Sequence, residues 1–74
     1  MNHQTLERIA ILSERGEYTT ELRKVSFYGN PPKLDIRKWQ GDQPLKGISL
    51  TDEEAERLAE ALHGISKGND PESQ

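Results

Sequence analysis

The chain has 74 residues, 31% hydrophobic and 31% charged, with no cysteine and a net charge of −3. One small domain fits that length, and a single core of this size seldom supplies more than about 3–5 kcal/mol. With no disulfide or thiolate metal site to staple it, no apolar run near the roughly 20 residues that span a bilayer, and no basic-then-apolar order in MNHQTLERIA to mark a secretory signal, a self-associating cytoplasmic protein is expected.

In chain order, residues 1–4 are expected to fray. Residues 5–13, TLERIAILS, are short enough to suit a helix. The β-branched Ile9 and Ile11 and the SERGE turn after them favour a strand, apolar on both faces as if covered by a partner chain. Residues 18–28 predict the longest strand, with Val25 and Phe27 on one face and Leu22, Lys24, Ser26 and Tyr28 on the other. Gly29, Asn30, Pro31 and Pro32 break it, because prolines cannot donate to a ladder. In 33–39 Leu34, Ile36 and Lys38 alternate with Asp35, Arg37 and Trp39, which a period of two places on opposite faces. A turn over 40–44 and a short strand over 46–50 follow, with Ile48 and Leu50 inward.

Short connections predict an antiparallel meander. Val25, Phe27, Leu34, Ile36 and Ile48 are expected on its covered face, and Lys24, Ser26, Tyr28, Arg37 and Trp39 on the exposed one. Thr51 suits a helix N-cap and Glu54 completes a capping box, with Leu50 stapling to Ala55. Asp52, Glu53 and Glu54 suit the positive end of the dipole. Ala55, Leu58, Ala59, Leu62 and Ile65 make one apolar stripe, with Gly64 as the expected stop. The tail from residue 66 to 74 is polar and expected to be disordered. The expected fold class is therefore α+β, a four-stranded antiparallel sheet followed by one C-terminal helix (ββββα) over 5–65, in a dimer because so small a core needs support.

Charge is segregated along this plan. Residues 21–46 hold six bases against three acids, whereas 47–74 hold two bases against seven acids. A basic middle steers polyanions whatever the net charge; acids on a solvated helix explain the other end equally well. His3 at a frayed end and His63 in the last helical turn make no catalytic pair. No nucleophile stands with a base, and no metal-ligand cluster or Gly-rich phosphate loop is visible, so neither an enzyme nor a cofactor or metal is expected. Asp35, two residues from Arg37 on one strand face, is expected to screen or orient its guanidinium. Single-stranded nucleic acid needs cations for phosphates and flat rings for unstacked bases: Lys24, Lys33, Arg37 and Lys46 suit the first, Trp39 and Tyr28 the second. Composition alone equally describes a Trp39 capping a core edge beside ordinary solvated lysines.

DIRKW at 35–39, KGISLT at 46–51 and an acidic-start helix directly behind resemble the positive cofactor 4 family of transcriptional coactivators, above all its small bacterial members. The likeness runs from LERIAILSE through KVSFYG to the end of the helix. It implies a homodimer that binds single-stranded or locally melted DNA on exposed sheet faces with little sequence preference. Arg37 matches the family's DNA-contacting arginine, Trp39 the aromatic position two residues on, and Lys46 a lysine of the basic pair before GISL. Lys24, Tyr28 and Lys33 fall where the family also contacts DNA. The chain departs in its short YGNPPK loop, in Leu45–Lys46 where eukaryotic members carry two bases, and in lacking their Ser-rich segment. The expected function is single-stranded DNA binding in transcription, replication or repair, with RNA as a further ligand. The alternative is an adaptor docking on transcription or replication proteins with vestigial DNA binding.

Overall fold

Alternating apolar and polar residues, interrupted by three tight turns, give a meander of β1 (His3–Arg15), β2 (Tyr18–Phe27), β3 (Lys33–Gln40) and β4 (Gln43–Leu50), followed by α1 (Asp52–Gly68). The structure, a computed structural model, describes residues 2–68 and the side-chain surroundings through residue 65. The four strands form one antiparallel sheet in the order β1-β2-β3-β4. No helix among the described residues is long and apolar enough to cross a membrane.

Several boundaries differ from expectation. β1 begins at His3 rather than Thr5, because His3 and Gln4 pair with Phe27 and Ser26, and Tyr28 N–H donates to Asn2 O at 2.9 Å. β4 begins at Gln43, so the third turn is only Gly41 and Asp42. The helix continues through Gly64 to Gly68, since an isolated glycine costs a helix only about 1 kcal/mol. The disordered tail expected from residue 66 is thus helical to 68, and 69–74 lie outside the described residues.

The capping box forms as the sequence predicts. Thr51 N–H donates to Glu54 Oε1 at 2.9 Å, and Glu54 N–H donates to Thr51 Oγ1 at 3.1 Å.

Register decides which side chains share a face, and it contradicts the expected grouping. Val25 opposes Lys33, Arg23 opposes Asp35, Glu21 opposes Arg37 and Thr19 opposes Trp39. Leu22 opposes Ile36, which opposes Ile48, and Leu34 opposes Leu50. Val25 and Phe27 therefore lie with Arg37 and Trp39 on a polar face, while Leu34, Ile36 and Ile48 lie with Lys24 on an apolar face. A slip of one residue exchanges faces, and the YGNPPK connection left that residue undetermined. Tyr28 and Gly29 both take positive φ, 56° and 76°, and Asn30 N–H donates to Phe27 O at 3.0 Å, as in a type I′ turn.

The helix touches only β3 and β4. Leu50 is buried, and Leu34, Ala55 and Leu58 are half-buried, which places the helix at that end of the apolar face. Among the described residues the buried apolar side chains are Val25, Trp39 and Leu50, with Pro44 buried in β4.

Candidate nucleic-acid interface

The polar face is built from charged side chains held flat against the sheet. Glu21, Arg23 and Asp35 are all buried, a costly arrangement unless the charges are paired. Glu21 accepts from Arg8 Nε at 2.9 Å, from Arg23 Nε at 2.7 Å and from Thr19 Oγ1, while Arg23 Nη1 donates to Thr5 Oγ1 at 2.9 Å. The hydrogen bond from Arg8, with help from Arg23 and Thr19, outweighs burial and holds the Glu21 carboxyl down at about 2. Its negative charge in turn raises the Arg8 guanidinium.

A second cluster centres on Arg37. Its Nε and Nη2 grip both oxygens of Asp35 at 2.7 and 2.8 Å, and its Nη1 donates to Leu45 O at 3.0 Å. Ser49 Oγ donates to Asp35 Oδ2 at 2.8 Å. The orienting role expected of Asp35 is thus present as a bidentate pair, the geometry that fixes a guanidinium plane. Gly47 opposes Arg37, and a methyl group there would overlap the Arg37 backbone and Cβ. The glycine of the GISL motif lets β4 approach β3 closely enough for this pair to form.

Both arginines lie on rings. Arg23 Cζ sits 3.6 Å above the Trp39 ring, and Arg37 Cζ sits 4.7 Å from the Phe27 centroid. Trp39 is fully buried, with His3 at 5.5 Å between centroids. This corrects the expectation of an exposed stacking plane: Trp39 is on the same face as Arg37, but Arg23 and His3 cover it. Trp39 Nε1 and His3 Nδ1 are buried without a hydrogen-bond partner.

The six expected site residues are therefore divided. Arg37 and Lys33 lie on the polar face with Trp39 beneath it; Lys24 lies on the apolar face, and Lys46 lines a groove of about 490 Å³ with Thr20, Ile36, Lys38 and Ile48 that Arg37 also borders. Tyr28 occupies the β2–β3 turn with its side chain 65% exposed. Lys33 shares a smaller cavity of about 130 Å³ with Val25, Phe27, Asn30, Pro31 and Ser49. Sequence reasoning missed Phe27, Arg8, Glu21 and Arg23 as members of this face. The signal was the alternation of Glu21, Arg23, Val25 and Phe27, legible once its register to β3 is known.

Lys24, Lys33, Lys38 and Lys46 make no ion pair among the described residues, whereas the carboxylates of Glu21 and Asp35 are taken up by arginines. Glu21 and Asp35 are thus neutralised internally, whereas these four lysines have no carboxylate partner among the described residues.

No protein-family model matches the chain. An uncharacterized protein of Treponema pallidum (strain Nichols) is 37% identical to it over 51 residues, a match covering 66% of this chain and 60% of that protein.

Proposed function

We propose that this chain is a homodimeric single-stranded nucleic-acid-binding protein. On this reading it acts in the cytoplasm in transcription, replication or repair, with DNA bound along the polar face. The observation that carries it is the Arg37 guanidinium laid over Phe27 and held by Asp35, with Lys33 lining a cavity that also takes in Phe27, and with Tyr28 in the adjoining turn. Arg37 has one guanidinium face over Phe27, its edge fixed by Asp35, and 16% of its side chain exposed. A fixed, charge-neutralised plane of this kind suits stacking on a base, as arginines do in single-strand sites. Lys33, which shares a cavity with Phe27, supplies the phosphate contact. Tyr28 supplies a second plane: a bulky residue at positive φ is a strained choice costing about 1–3 kcal/mol, and here it keeps an aromatic ring at the surface. The motifs DIRKW and GISL support the same reading, because Asp35, Arg37 and Gly47 together build the plane.

Fluorescence anisotropy of labelled oligo-dT at two salt concentrations tests this, with a duplex of equal length as comparison. The single strand is expected to bind more tightly, because duplex bases are already stacked. Lys33→Ala should lower the slope of log K against log[salt] by about 0.7 per lost contact. Arg37→Ala and Tyr28→Ala should weaken binding with little change of slope. Equal affinity for both forms, or a salt-insensitive wild type, contradicts the reading.

A further inference from the structure

The N-terminal end of β1 does more than extend the sheet. Tyr28 N–H donates to Asn2 O at 2.9 Å, and His3 and Gln4 pair with Phe27 and Ser26 at the last residues of β2. Yet the His3 ring reaches across the polar face. Its centroid lies 6.1 Å from that of Phe27 and 5.5 Å from that of Trp39, although Trp39 opposes Thr19 at the other end of β2. His3 also lines a cavity of about 340 Å³ with Asp42 of the third turn and Gln43 and Pro44 of β4. Sheet twist brings such diagonal corners toward each other. Residues 2–5 therefore span the polar face as a strap.

The strap is set off from the rest of its strand. β1 stands at the edge of the sheet, paired to β2 alone, and its register shifts directly after Thr5, between Thr5 and Glu7. Such a shift interrupts the ladder and bends the strand, and edge segments near a chain end open at the lowest free-energy cost. Few contacts hold the strap down: the Tyr28–Asn2 hydrogen bond, two ladder pairs, the ring contacts of His3, and Arg23 Nη1 donating to Thr5 Oγ1 at 2.9 Å. Closure also carries a cost. His3 Nδ1 and Trp39 Nε1 are buried with no hydrogen-bond partner among the described residues, and a buried polar atom without a partner has given up water for nothing. Lifting the strap returns both nitrogens to water or to a ligand.

Imidazole is a flat heteroaromatic ring with a nitrogen edge, as a nucleobase is, and here it rests on the two rings over which Arg37 and Arg23 lie. Resting on the nucleic-acid reading above, we propose that residues 2–5 are an autoinhibitory strap, whose His3 ring fills the place of an unstacked base between Phe27 and Trp39. A base enters as the strap lifts at the register shift after Thr5, takes over the ring contacts of His3 and accepts a hydrogen bond from Trp39 Nε1. Strap and base exclude each other. The apparent affinity is then the open-strap affinity multiplied by the fraction of protein that is open.

Trp39 is the chain's single tryptophan, so its emission reads the strap while anisotropy of labelled oligo-dT reads the ligand. His3→Ala keeps the strap but empties the place of its ring. It is expected to tighten binding by about threefold or more, with the salt slope unchanged and with stronger acrylamide quenching of Trp39 in the free protein. His3→Phe fills the same place with a ring that buries no polar nitrogen of its own. It is expected to weaken binding by about threefold or more and to shield Trp39 further. Loss of folding would weaken both variants, so opposite directions separate the strap from a merely structural role. A wild type that binds oligo-dT, with a folded His3→Ala that binds no tighter, overturns the strap and leaves the nucleic-acid reading standing. If His3→Ala does not fold, His3→Phe decides alone, and unchanged or tighter binding by it overturns the strap. No binding by the wild type or by either variant overturns both.

Discussion

Trp39 carries the main lesson at the scale of single residues. As the only tryptophan on a half-polar strand, beside Arg37, it presents the same pattern whether it faces a ligand or the inside of the protein. Arg23 decides between them: its guanidinium covers the indole, and Glu21 and Thr5 hold that guanidinium in place. Trp39→Ala is therefore expected to cost about 3–5 kcal/mol, enough to abolish a cooperative urea transition in so small a domain. A variant with unchanged unfolding would place the ring outside the core. Glu21 gives the matching electrostatic expectation. Its folded pKa of about 2 lies below the ordinary value of 4.5, so its contribution is complete above about pH 4.5 and is lost as pH falls toward 2. Glu21→Gln should remove that part of the acid sensitivity. At pH 7 it should also destabilise by up to about 3–5 kcal/mol, because buried Arg23 loses its counter-charge. Urea unfolding of both proteins at pH 7 and pH 3 checks the sign and the window.

Element identity was legible because it depends on local pattern. Four strand runs, three turns and a capping box are written in adjacent residues, and all appear in the fold. Register was not legible, because it depends on how many residues the connection absorbs. The type I′ turn at Tyr28–Gly29, followed by two prolines before β3, fixes Val25 against Lys33. That single choice moves Phe27 beside Arg37 and sends Lys24 to the other face. The register shifts in β1 that follow Thr5, Arg8 and Ile11 were hidden for a similar reason. TLERIAILS suits both a helix and a two-sided strand, because a period of three in a bulged strand falls between the two. At the helix the local signal is sufficient. Thr51→Ala removes the hydroxyl that accepts from Glu54 N–H and should cost about 0.5–2 kcal/mol, measurable as a shift of the urea midpoint, with Thr51→Ser restoring most of it.

For the whole molecule, the core is small and several large aliphatic side chains are exposed among the described residues; on the proposed reading, stability belongs to a homodimer and the polar face binds the ligand. The most direct measurement is backbone amide NMR of the ¹⁵N-labelled protein titrated with oligo-dT. The account predicts the largest shifts at Phe27, Tyr28, Asn30, Lys33, Asp35, Arg37 and Ser49. Shifts confined to the apolar face around Lys24, Lys38, Lys46 and Ile48, or no shifts at all, would contradict it.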